Sequence, residues 1–255
     1  MLKNLVLDLE ERTVFNNHSN LPSSFRMLMI GSSGGGKTTL LLQMILEPGF
    51  FDYNNIIIFT TTPNQQEYQL LKHGFENQLT KESIAAILIN QHEFKGVPIP
   101  TLCRRYAQLH KQAGGVTVTL TDKTNELIQP EKLDRNKKNL IIFDDCINNK
   151  NQKLLASFFS RGRHNSCNCI YLSQSYFDLD RSIRLNSNIL ILFKLSQRNK
   201  SDVYNNVVGT IMDRDQFFAF ADNAWSIRYS YIVIDKDKEK VFTNIFDEDS
   251  ETDLD

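Results

Sequence analysis

Gly31-Ser32-Ser33-Gly34-Gly35-Gly36-Lys37-Thr38 meets every fixed position of the phosphate-loop pattern G-x-x-x-x-G-K-[ST]. An apolar run at 25–30 precedes it, and apolar residues at helical spacing follow at 39–47. Strand, glycine-rich loop and helix is the context in which this pattern cradles phosphates. The glycines let backbone N–H groups turn inward around phosphate oxygens, and the helix presents its positive N-terminal end to them. Lys37 is then placed to reach the β- and γ-phosphates, and the Thr38 hydroxyl to ligate Mg²⁺. Gly31, Ser32, Ser33, Gly34, Gly35, Gly36, Lys37, Thr38 and Thr39 are therefore the expected contacts of a nucleoside triphosphate, with ATP and Mg²⁺ as the ligand pair.

Leu140-Ile141-Ile142-Phe143-Asp144-Asp145 is an apolar strand that ends in two acids, the Walker B form. Burial of the strand sets Asp144 at the sheet edge beside the phosphate loop, where it would hold the Mg²⁺. A bound cation dominates local charge, so Asp144 is expected to stay ionised. Asp145 is expected to orient or deprotonate the attacking water, which favours hydrolysis over binding alone. The strand Ile170-Tyr171-Leu172 runs into Ser173-Gln174, which puts Gln174 at the same edge as a sensor of the water or γ-phosphate. A turn-capping role is its alternative.

Arg161, Arg163 and Arg184 are candidate arginine fingers. A finger from a neighbouring subunit can accelerate phosphoryl transfer by about 10³–10⁵. Arg163 is the first choice; a solvated basic loop, or one touching DNA phosphates, is the competing reading. His164, Cys167 and Cys169 do not have the usual spacing of zinc ligands. Lys194, Arg198 and Lys200 make a basic stretch that is either solvated or faces a ring channel.

The rest of the chain has the composition of an ordinary globular protein, with 255 residues, 41% apolar and 23% charged. Net charge is −1, so no global basic field advertises a nucleic-acid partner. The segment 247–255 holds six acids and no base; removing those charges leaves +5 for the body. Four cysteines, Cys103, Cys146, Cys167 and Cys169, form no disulfide framework and fit a reducing compartment. The first residues carry acids and lack the long apolar region of a secretory signal. No run approaches 18 apolar residues, so no transmembrane segment is expected.

Short strands are expected at 5–9, 55–60, 116–120, 139–143, 169–172 and 188–195, and a linker at 16–24. Helices are expected over 66–90, broken near Gly74, and at 102–112, 153–160 and 213–221; a loop fills 91–100. Segments 225–234 and 240–245 flank Asp235-Lys236-Asp237-Lys238 as a terminal hairpin. Strands alternating with helices give one doubly wound α/β domain, a mostly parallel sheet with helices on both faces. The expected division is an N-terminal extension at 1–24, a P-loop domain at 25–246 and an acidic disordered tail at 247–255.

Taken together, the phosphate loop, Ile-Ile-Phe-Asp144-Asp145-Cys146, Arg161-Gly-Arg163-His164 and Leu172-Ser-Gln174-Ser-Tyr176 resemble a family. It is the poxvirus-type genome-packaging ATPases of large eukaryotic DNA viruses, virophages and related elements, within the FtsK–HerA superfamily. The resemblance covers about 25–195. It implies a RecA-like core and a homo-oligomeric ring, pentamer or hexamer. It further implies ATP-driven movement of double-stranded DNA into a preformed capsid, with capsid or portal-vertex proteins as partners. The place of action would be the host cytoplasm or nucleus at the site of virion assembly, with virion association as an option. The family's sensor glutamine carries over to Gln174, and its trans-acting arginine to Arg163 or Arg161.

The competing class is a P-loop nucleotide or small-molecule kinase, in which Arg161 and Arg163 would belong to a lid. A GTP-dependent switch is disfavoured because no convincing Asn-Lys-x-Asp guanine-reading motif is present. A terminase-type motor would need a nuclease domain and a further acidic metal cluster after Asp145. A non-hydrolysing scaffold leaves Asp145 without a purpose.

Overall fold

The computed structural model describes residues 14–109 and 114–247. The strand expected at 5–9, the end of the helix expected at 102–112 and the tail beyond Asp247 lie outside the described residues.

Eight strands form one sheet: β1 (Arg26–Ile30), β2 (Asn55–Thr60), β3 (Thr117–Thr121), β4 (Asn139–Asp144), β5 (Cys167–Ser173), β6 (Ile189–Phe193), β7 (Tyr231–Asp235) and β8 (Lys240–Thr243). Their order is β3-β2-β4-β5-β1-β6-β7-β8. The first six run parallel, and β7 and β8 add an antiparallel hairpin. The central strands are apolar on both faces, as parallel strands between two helical layers must be. Alternation divides them cleanly. Met27 and Met29 of β1 and Leu140 and Ile142 of β4 enter one core; Leu28, Ile30, Ile141 and Phe143 enter the other. Each fully buried Leu, Ile or Phe side chain contributes roughly 1.5–3 kcal/mol.

Helices α1 (Lys37–Leu46), α2 (Gln66–Glu76), α3 (Lys81–Ile89) and α4 (Ile99–Leu109) cover the first face. Helices α5 (Gln152–Arg161), α6 (Arg181–Asn186), α7 (Gln197–Val203) and α8 (Arg214–Ala224) cover the second. A π-helical stretch, Tyr204–Val208, continues α7. No helix among the described residues is long and apolar enough to cross a membrane.

Two expectations about element boundaries are corrected. The helical region 66–90 does not break at Gly74, which lies inside α2; the break falls at 77–80, where Thr80 caps α3 by accepting from Ser83 N–H. Gly74 serves close packing instead: a Cβ there would sit 2.7 Å from Ile84 Cδ1 of α3. The strand expected from Trp225 starts only at Tyr231. Trp225 closes α8, its N–H bonded to Ala221 O and its indole N–H to Leu192 O at 3.1 Å. The short helices α6 and α7 lack apolar periodicity, yet each has a side-chain cap, Asp180 and Ser196.

The expected linker at 16–24 has no regular secondary structure but is not detached. Phe15 and Leu21 are buried, and His18 N–H donates to Phe50 O.

Candidate active site

The parallel strands point their C-terminal ends at one sheet edge, and ligands of open α/β sheets bind there. A crevice of about 710 Å³ opens at that edge. It is lined by Ser33 to Leu40 and by Asp144, Asp145 and Gln174, from the ends of β1, β4 and β5.

The phosphate loop joins β1 to α1 through Gly36, whose φ of +101° disfavours any residue with a Cβ. Helix α1 has no side-chain cap and no acid in its first turn. Its first N–H groups are therefore left for a ligand, and the helix dipole favours an anionic one. Lys37 Nζ donates to Gly31 O at 2.6 Å and Ser32 O at 2.9 Å. Burial lowers the Lys37 pKa, while Asp144 and Asp145 pull it back up. Gly31 and Ser32 act through these carbonyls, and Ser33 to Thr39 face the crevice.

Asp144 is half-buried, and Tyr68 of α2 donates its hydroxyl to Asp144 Oδ2 at 2.7 Å. Burial raises the Asp144 pKa; Tyr68 and Lys37 oppose that rise, and Asp145 adds to it. Burial and Asp144 raise the Tyr68 pKa, and the nearby Thr38 side chain opposes that rise, so the tyrosine hydroxyl neighbours both residues. A hydroxyl and one carboxylate, completed by phosphate oxygens and waters, is a donor set that suits Mg²⁺. Thr38 and Asp144 are thus the residues that would hold the cation. Tyr68 itself is missed by sequence reading, because a tyrosine among Leu70, Leu71 and Phe75 reads as core.

Asp145 is exposed in the crevice with a left-handed φ of +52°. Its N–H donates to Leu172 O at 3.3 Å, which ties the turn after β4 to β5. A strained non-glycine conformation of this kind is sustained by its surroundings and clusters at active sites. Cys146 anchors the other side: it is buried, its thiol pushed up to about 12 by burial, with Sγ bonded to Phe59 O and Asp144 O. Gln174 is exposed at the lip of β5, facing the same crevice.

The candidate arginines stand elsewhere. Arg163 lies before β5 begins, at the opposite end of the strands, in a separate cavity of about 340 Å³ with Arg26, Asn188 and Asp237. It is not part of this chain's own crevice, because the helix-to-strand turn that carries it is at the far sheet edge. Arg161 is paired with Glu131 at 2.5 Å. Arg184 rests on Tyr176 and Phe177, 5.4 and 5.2 Å from their ring centroids. His164 is exposed, while Cys167 and Cys169 are buried in β5.

Asn199-Lys200-Ser201-Asp202 does carry the letters of a guanine-reading Asn-Lys-x-Asp tetrad. It sits on α7, where Lys200 is buried, pairs with Asp222 at 2.5 Å and packs on Phe218. None of the four residues lines the crevice.

The fold has counterparts among solved structures. The genome packaging NTPase B204 of Sulfolobus turreted icosahedral virus 2, in complex with AMPPCP, matches at TM-score 0.50 and 12% identity, over 86% of this chain and 95% of that one. The same NTPase in complex with AMP gives 0.48 and 9%, over 88% and 98%. VirB4 of Thermoanaerobacter pseudethanolicus gives 0.46 and 12%, over 89% and 90%. At 12% identity the match at TM-score 0.50 speaks to the fold alone. No curated protein matches the chain. The family model described as Poxvirus A32 protein matches residues 12–238, nearly the whole of the described region. On that match, this chain belongs to the poxvirus A32 protein family.

Proposed function

We propose that this chain is an ATPase that moves double-stranded DNA into a preformed viral capsid, working with Mg²⁺ as a homo-oligomeric ring of five or six subunits. One observation carries the reading: Lys37, Thr38, Asp144, Asp145 and Gln174, from the ends of three neighbouring strands, face one crevice. Lys37 neutralises the transferred phosphate, Thr38 and Asp144 hold the cation, Asp145 directs the water, and Gln174 senses the γ-phosphate. Mg²⁺ bound there supplies charge stabilisation of the phosphoryl oxygens.

Family membership and the fold shared with B204, a genome packaging NTPase, support packaging as the work done. The partners in this reading are duplex DNA, neighbouring copies of the chain and capsid or portal-vertex proteins, at the site of virion assembly in the host cell. The trans-acting arginine is Arg163. It carries no acid partner among the described residues, whereas Arg161 is held by Glu131 and Arg184 by two rings.

The deciding measurement is ATP turnover with and without linear duplex DNA, with water as sole acceptor, alongside the mass of the assembly. Stimulation by DNA in a ring-sized species is expected. A monomer that ignores DNA, or phosphate release that requires a small-molecule acceptor, overturns the proposal; the latter outcome is the kinase reading.

A further inference from the structure

We infer that Tyr229 is the platform on which the base of the bound nucleotide stacks, an inference that rests on the triphosphate reading of the crevice. The sheet order gives the crevice a direction. The phosphate loop leaves β1, with β5 and β4 on one side and β6 and β7 on the other. The acids and Gln174 stand at the ends of β4 and β5. A triphosphate whose γ-phosphate meets them runs its base toward β6 and β7, where the crevice is walled by Tyr229 and Tyr231.

The two tyrosines differ in what they are free to do. Tyr231 is committed to the fold: its hydroxyl accepts from Ile245 N–H at 3.3 Å, and its ring packs on Phe193 at 5.7 Å. Tyr229 is 54% exposed. Its Cδ1 lies 3.6 Å from where a Cβ on Gly36 would stand, so the ring borders the end of the phosphate loop. Its φ is +66°, a left-handed conformation uncommon for a residue with a Cβ.

Arg228 stands behind the ring, its Cζ 4.6 Å from the Tyr229 centroid. Tyr229 borders both the crevice and an adjoining cavity of about 330 Å³, and Arg228 lines the adjoining one. Arg228 does not line the crevice, so the part of the Tyr229 ring that borders it is not taken by the guanidinium. A rigid aromatic face, backed by a cation and presented to a nucleotide site, is a stacking surface for a nucleobase.

The test is to measure Kd for ATP and for inorganic tripolyphosphate, which has the phosphates and no base. Wild type, Tyr229→Ala, Tyr229→Leu and Tyr229→Phe are compared. Tyr229→Leu keeps bulk against Gly36 without a π-face, so the result does not hang on the alanine variant folding. Loss of the ring is expected to weaken ATP about tenfold in the alanine and leucine variants, with phenylalanine close to wild type. Tripolyphosphate affinity is expected to stay the same in all four. Unchanged ATP affinity without the ring overturns the inference, as does a parallel loss for tripolyphosphate, which would make Tyr229 a prop for the loop. A wild-type chain that binds neither ligand overturns the triphosphate reading and the inference with it.

Discussion

The Tyr68 hydroxyl donates to Asp144 Oδ2 at 2.7 Å. One hydroxyl from α2 therefore fixes the carboxylate that would hold the cation. Tyr68→Phe removes the donor that opposes the burial-driven rise in the Asp144 pKa. The acidic limb of the turnover–pH profile is expected to move upward, on the order of one pH unit. A Mg²⁺ titration is expected to need more cation for half-saturation. A profile that does not move would assign Tyr68 to packing alone.

Asp144 also makes the ligand-free chain less stable than it need be. Its folded-state pKa is raised, chiefly by burial. Its stabilising contribution is then complete below the ordinary carboxylate pKa and is lost as pH rises through the raised value. Asp144→Asn should melt higher than wild type at pH 7 without Mg²⁺, by about 2 °C, with the gap closing as pH falls through the carboxylate range. The same variant should lose Mg²⁺-dependent turnover. Thermal melts across pH, set beside turnover, check both halves.

Lys37 and Asp145 are expected to fail differently. Lys37→Ala removes the charge that meets the phosphates and should abolish nucleotide binding. Asp145→Asn keeps the turn and its exposed position but loses the base, so ATP should bind normally while turnover falls by about 10²–10⁴. Equilibrium binding and single-turnover hydrolysis separate the two. Normal turnover in Asp145→Asn would take the water-directing role away from it.

Much of this was legible in the sequence because the signals are local. The loop at 31–38 needs only its own glycines and the helix that follows, and strands at 55–60 and 139–143 declare themselves by runs rich in isoleucine and phenylalanine. What was hidden depends on distant partners. Tyr68 has the helical spacing of core residues, and its link to Asp144 spans 76 positions. Tyr229 falls in a stretch that reads as strand because it is rich in aromatic and β-branched residues, yet Trp225 turns back onto Leu192 and makes it a loop. Gly74 looks like a helix breaker until Ile84, from the next helix, is seen to fill the space a side chain would take.

Arg163 provides a test that needs two kinds of subunit. Because it stands at the far sheet edge from its own crevice, it would touch only the nucleotide of a neighbour. Arg163→Ala alone is expected to lower turnover about 10³-fold or more in the assembled ring. Mixing it with Lys37→Ala subunits should restore part of the activity, since some interfaces then combine an intact loop with an intact arginine. No recovery on mixing would exclude Arg163 as the trans residue.

The strand β5 gives this arrangement a fixed ruler. Gln174 follows its last residue and Arg163 stands a few residues before its first, so about 20 Å of extended chain separates the two ends. The strand is hydrogen-bonded to β4 on one side and β1 on the other, so it cannot slide or stretch without breaking a ladder. In a ring of the proposed kind, a change at the nucleotide end would reach the arginine end through the sheet moving as a body.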